Sequence, residues 1–310
     1  MRRWQHSLAA GLLAAITATI MTAAQAEAFR FGVIGHASSA KGEIVLRNAI
    51  AASDAANLAF VVVNGIKARS EDCSDALYQQ RLALLQEAQN GLIVSIAASD
   101  WTTCKNSEGK PAAIERLNQL RELLFADSFS LGASRLPLIR QSATPKFRAY
   151  AENARWEVGG VLFATIHLPS DNNHYLSAGG RNSEFEDRQI ANHEWLQRLF
   201  ALAALKKLHG IVLFSDGDPW ETPTAHELQR GQRDGFASLR QNLLKFSGEF
   251  HGRVMLIHGK TDKSLPPAGI VWRRNLGELG IGPGWISVQV DPTSPGLFSV
   301  AKPATTNARP

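Results

Sequence analysis

From Phe29 onward, short apolar runs alternate with amphipathic stretches, and that alternation constrains the fold more than any single residue does. A run that is apolar at every position leaves no face for water, so each strand must be covered on both sides. The pattern therefore predicts a single α/β domain with a layered β-sheet core flanked by helices. Strands are expected at Phe29–Ile34, Phe60–Val63, Leu92–Ile96, Ile211–Phe214, Val254–His258 and Trp285–Val290. The stretch Val158–Leu168 reads as strand after a Gly-Gly turn. Helices are expected at Lys41–Ser53, Asp75–Ala88, Ala112–Phe125, Glu184–Leu208 and Gly235–Phe246. In the long helix the apolar spacing marks Ile190, Trp195, Leu196, Leu199, Leu202 and Leu205 as its buried stripe. Ser130–Asn153, with Pro137 and Pro145, reads as a surface connection, and the chain beyond Pro292 as frayed.

At 310 residues, with 45% hydrophobic and 20% charged residues, the chain is long enough to bury a full core and carries no signature of disorder. Its start differs from the rest. Arg2 and Arg3 precede the Ala/Leu-rich run Leu8–Ala24, followed by Ala24-Gln25-Ala26 and Ala26-Glu27-Ala28. That is a signal-peptide pattern, and an uncleaved anchor is the competing reading. Residues 1–26 are expected to be the leader, 27–300 the domain and 301–310 a flexible tail, with a periplasmic or secreted address and no later membrane span. Loss of Arg2 and Arg3 would take the formal charge from +5 to +3. The remaining Lys and Arg form no basic stripe, so nucleic acid is not an expected partner.

Cys73 and Cys104 are the only cysteines. In an oxidising compartment such a pair reads as a disulfide, and closing a loop of about 30 residues stabilises by about 3 kcal/mol in the chain-entropy model. Two free thiols or half a metal site are the alternatives, disfavoured because no His sits at ligand spacing.

In sheets of this kind ligands bind beyond the carboxyl ends of the strands. The residues there are Gly35-His36, Asn64-Gly65, Ala97-Ala98-Ser99-Asp100-Trp101, His167, Asp216-Gly217-Asp218 and His258-Gly259-Lys260-Thr261-Asp262. This ordered series resembles a bacterial exported branch of the calcineurin-like metallophosphoesterases, over nearly the whole of 29–298. Further stretches that carry the resemblance are Cys73-Ser74-Asp75-Ala76-Leu77-Tyr78, Trp101-Thr102-Thr103-Cys104, Ala154-Arg155-Trp156, Asn172-Asn173 and Asp218-Pro219.

The resemblance implies a dinuclear metal centre that hydrolyses phosphate esters, and the departures fall on its ligands. His36 stands where the first metal-binding Asp is expected, Gly65 where the bridging Asp is expected, and Ser99 at the amide-ligand position. Lys260 and Asp262 replace a ligand-type residue and the final His. Two dications about 3.5 to 4 Å apart need an anionic bridge, which glycine cannot supply, and a lysine charge nearby adds repulsion. The expectation is a degenerate site, with no tightly bound cofactor, in a binding or accessory protein whose ligand is a small phosphate ester or an unknown molecule at the strand ends.

The alternative is a hydrolase with a single Zn²⁺ or Mn²⁺, held by some of His36, Asp100, Asp216, Asp218 and Asp262, with His167 or His258 assisting proton transfer. Plainer roles compete with each. Asp216 and Asp218 lie in a turn where Asp bonds its own backbone, Asp100 suits a turn cap, and His167 ends an apolar strand as core histidines do. Gly35–Lys41 fails the phosphate-loop pattern, and neither Gly-x-Ser-x-Gly nor His-Glu-x-x-His occurs.

Overall fold

The computed structural model describes residues 27–35, 42–177, 182–260 and 269–301. Its strands are β1 (Phe29–Gly35), β2 (Val61–Asn64), β3 (Leu92–Ser95), β4 (Ile139–Arg140), β5 (Ala154–Val158), β6 (Val161–Thr165), β7 (Gly210–Ser215), β8 (Arg253–Gly259), β9 (Val271–Arg273), β10 (Leu276–Ile281), β11 (Gly284–Val290) and β12 (Phe298–Val300). Its helices are α1 (Gly42–Asp54), α2 (Asp75–Gln86), α3 (Ala113–Leu124), α4 (Ser183–Leu205), α5 (Ala225–Gln229) and α6 (Ala237–Glu249). The α/β architecture and the single domain are as expected, but there are two mixed sheets where one covered core was read. One runs β12-β11-β1-β2-β3, the other β4-β5-β6-β7-β8-β10-β9.

The sheets pack face to face, and the alternation of side chains along each strand sorts the apolar runs into three layers. Phe31, Val33, Phe60 and Val62 from one sheet meet Phe163, Val212, Phe214, Met255 and Ile257 from the other. Phe60 and Phe163 cross edge to face at 4.8 Å, and Phe31 stacks on Phe60 at 5.3 Å. The intervening residues Ile34, Val61, Val63 and Val94 point outward to α1, α2 and α3. Leu162, Ile211, Leu213, Val254 and Leu256 point to α4 and α6. An unbroken apolar run thus reports burial on both faces without saying whether helix or sheet covers them.

Several local expectations need correction. Ile190 and Leu205 are exposed, at 54% and 81%. The buried face of α4 is Ala191, Trp195, Leu196, Leu199, Phe200 and Ala203. The segment 130–153 is not a surface connection: Gln141, Phe147, Glu152 and Asn153 are buried and β4 pairs with β5. The chain beyond Pro292 returns as β12 against β11. Strands β9 and β10 were not foreseen, because Gly277, Glu278 and Gly280 interrupt the apolar pattern. The leader 1–26 and, apart from Ala301, the tail lie outside the described residues. No helix among the described residues is long and apolar enough to cross a membrane.

Two covalent or ionic devices pin the strand ends. Cys73 and Cys104 form a disulfide across 31 residues, joining the loops after β2 and β3. On the other sheet, Glu152 accepts from Arg121 Nη2 (2.6 Å) and Nε (3.0 Å), and its Oε1 lies 2.8 Å from His167 Nδ1. His167 N donates to Asn153 Oδ1, and Asn192 Nδ2 to His167 O, so β6 leaves the sheet in one fixed direction. Burial alone would push the Glu152 carboxyl up. The Arg121 charge and the bonds from His167 and Arg121 outweigh it and hold the group down at about 2. Burial lowers the His167 imidazole against the pull of Glu152, so it is neutral at neutral pH and serves Glu152 as an N–H donor.

Both shifts make the unfolded chain the better proton acceptor, so acid destabilises the fold. Stability is expected to fall below about pH 6.5, where unfolded His167 charges, and again from about 4.5 toward 2 as Glu152 is titrated. Glu152→Gln should cost about 3 kcal/mol at pH 7 and flatten the lower window, as read by denaturant unfolding across pH. An unchanged profile would mean that this cluster does not carry the acid sensitivity. Cys73→Ala with Cys104→Ala should cost about 3 to 4 kcal/mol by the same assay. A loss under about 1 kcal/mol would show that the two loops hold together without the bridge.

Candidate functional site at the strand ends

Face-to-face packing brings the carboxyl ends of β2, β3, β7 and β8 to one rim. After β2 the chain turns at Gly65, whose φ of +76° is the left-handed conformation that glycine adopts without strain, and Gly65 N donates to Ser95 O at 2.8 Å. After β3 comes a single turn, Ala98–Asp100. Asp100 is fully buried, and its Oδ1 accepts from Ile66 N (3.0 Å) and Lys67 N (3.2 Å) while Oδ2 accepts from Ala97 N (2.9 Å). Its carboxylate therefore stitches the loop after β2 to the turn after β3, beside the disulfide. The capping role foreseen for Asp100 is present, with a wider reach than one turn.

Asp216 plays the matching part between the sheets. Its Oδ2 accepts from Ala98 N at 2.7 Å and from Ser170 N at 2.8 Å, and its backbone carbonyl accepts from Gly259 N at 3.0 Å. One residue thus ties together the segments that follow β3, β6 and β7 and the last residue of β8. The gap it closes is narrow: a Cβ on Gly259 would lie 2.7 Å from Asp216 O and 2.9 Å from Asn64 Nδ2. Asp218, not Asp216, makes the self-capping turn, with Trp220 N donating to its Oδ1 at 2.8 Å.

The second oxygen of Asp218 faces His258. His258 is 5% exposed, and its Nδ1 lies 2.8 Å from Gly259 O. Its Nε2 stands 4.0 Å from Asp218 Oδ2 and 3.5 Å from Glu278 Oε1. Burial presses the imidazole pKa down, but Glu278, Asp218 and the Gly259 carbonyl more than offset it, leaving it above the ordinary histidine value. Glu278 is lowered despite burial, by His258 and by the salt bridge to Arg273. Glu278 was missed because its strand was missed. Register explains its position: Gly280 pairs with His258, so Glu278, two residues earlier, shares that face of the sheet.

His167, although foreseen beside His258 as a proton carrier, is tied up in the Glu152 network. Its ring lies 5.5 Å from that of the fully buried Trp101. His36 and Asp262 lie outside the described residues. Among the described residues named from sequence, the structure brings Asp218 and His258 together and gives Asp100 and Asp216 to backbone amides. A cleft of about 570 Å³ opens alongside, lined by Ser170, Asp171, Asn172, Glu221, Glu227 and Phe236. Burial and the Asp218 charge raise the Glu221 carboxyl while His258 lowers it, so this wall is coupled electrostatically to the Asp218–His258 pair. The wall also holds three successive left-handed residues, Asn172, Asn173 and His174, fixed by side-chain bonds from both asparagines to 233–235.

No family model matches the chain. No characterised protein matches it in sequence. Among solved structures it is similar to GAP50, the anchor in the inner membrane complex of Plasmodium, at 12% identity over 90% of each chain, with a TM-score of 0.47. A likeness at that level carries no argument about fold or function.

Proposed function

We propose that this chain is an exported metallophosphoesterase-like protein that has lost the dinuclear centre and works by binding a ligand at the strand-end rim. The single observation that carries the reading is Gly65. At the position where the resemblance expects a bridging carboxylate, the chain places a left-handed glycine between β2 and the Asp100 turn. The neighbouring carboxylates do not substitute. Asp100 receives three backbone N–H groups on its two oxygens and would have to surrender such bonds to hold an ion, while Asp216 receives two on Oδ2, which ties it between loops and leaves only Oδ1 to offer, one oxygen short of a bridge. The described residues therefore do not fit a two-metal site, and no hydrolytic step is derived through one. The disulfide supports an oxidising compartment, and the periplasmic or secreted address belongs to this proposal.

A second reading, a phosphoric ester hydrolase with one ion, rests on a separate observation, the convergence of His258 with Asp218 and Glu278. One experiment decides between them. The mature chain is assayed on aryl phosphate mono- and diesters with added Mn²⁺, Zn²⁺ or Mg²⁺. The proposal expects no turnover above buffer with any of them. Metal-dependent turnover abolished by His258→Ala would overturn it in favour of the second reading.

A further inference from the structure

We propose that Asp218, His258 and Glu278 form a site for one divalent cation of the zinc class. The three donor atoms lie within 4.8 Å of one another, with His258 Nε2 at 3.5 Å from Glu278 Oε1 and 4.0 Å from Asp218 Oδ2. Donors on a tetrahedral zinc with bonds of about 2.0 to 2.1 Å sit about 3.3 to 3.5 Å apart, so small side-chain movements close the set.

The imidazole supplies the independent observation. A carbonyl can only accept, so the 2.8 Å contact to Gly259 O puts the proton on Nδ1 and leaves Nε2 as the ligand nitrogen. That is the arrangement of a metal-bound histidine, whose outer N–H is held by a backbone carbonyl. Nε2 is buried and has no hydrogen-bond partner among the described residues. A bare lone pair facing two carboxylates is repulsive. Positive charge at Nε2 relieves that repulsion, and a dication bonded to the lone pair is drawn there by both carboxylates at 3.5 and 4.0 Å.

The surroundings suit the role. Arg273 bonds the far oxygen of Glu278 and orients it, and its guanidinium lies 5.0 Å over the Trp220 ring. Gly280 keeps the imidazole free of crowding, since a Cβ there would stand 3.3 Å from His258 Cε1. Three protein donors leave a fourth position for a small anion, and Glu221 links the group to the 570 Å³ cleft. The inference rests on the proposed function only in taking this rim as the working face.

The test is zinc binding by calorimetry and elemental analysis on the mature chain, its Glu278→Gln, Asp218→Asn and His258→Ala variants, and Arg273→Gln. One equivalent is expected, weakened more than about 100-fold by each of the first three and about 10-fold by Arg273→Gln, with metal-free circular dichroism unchanged. Glu278→Gln, at a half-buried position, keeps the test open if His258→Ala does not fold. Dissociation constants weaker than about 1 mM, or zinc held equally by Glu278→Gln and Asp218→Asn, would overturn the site. Two equivalents, one lost in Glu278→Gln, would leave this site standing and sink the proposed loss of the dinuclear centre.

Discussion

The bonds from Ala98 N and Ser170 N to a single carboxylate oxygen, Asp216 Oδ2, organise this molecule's rim. The two sheets share an apolar interface that is non-directional, so packing alone does not decide how their strand ends meet. Asp216 decides it, because an anion in a buried setting must find donors and the nearest belong to loops from different sheets. Asp100 repeats the arrangement within one sheet, and the disulfide secures the same pair of loops covalently. Rigidity at the rim follows from charge satisfied by backbone.

The proposed function turns on what these carboxylates do. A dinuclear site needs acidic oxygens turned toward ions and a bridge between them. Here both oxygens of Asp100 and one of Asp216 turn toward amides, and Gly65, where the proposal looks for a bridge, has no side-chain oxygen. On the helix-bearing face of the second sheet, His258 points at Asp218 and Glu278 beside a cleft of about 570 Å³. Preorganised loops of this kind favour ligand binding, because the ordering entropy has been met in folding.

Much of this was legible in the residues. The apolar runs of β1, β2, β3, β7 and β8 and the 3.6-residue spacing of α3 and α4 marked those elements, and the two cysteines marked the bridge. The second sheet was not legible, since Val212 and Phe214 report burial without naming what covers them. Ile190 and Leu205 misled for a related reason: both are apolar at helical spacing, yet both face solvent. Among site residues, Asp218 and His258 could be read from their positions after strands. Glu278 could not, lying inside a glycine-broken strand whose neighbour is set by the register with β8. The structural use of Asp100 and Asp216 depends on donors as far away as 118 residues, and no local pattern encodes such a partner.

Anomalous diffraction from crystals soaked in zinc and in manganese tests the proposed loss of a paired-ion centre most directly, because it locates ions without relying on turnover. The account predicts one peak, coordinated by His258 Nε2 with Asp218 and Glu278, and none beside Gly65. Two peaks about 3.5 to 4 Å apart next to Gly65, with Asp100 or Asp216 turned away from their amides to bridge them, would contradict it.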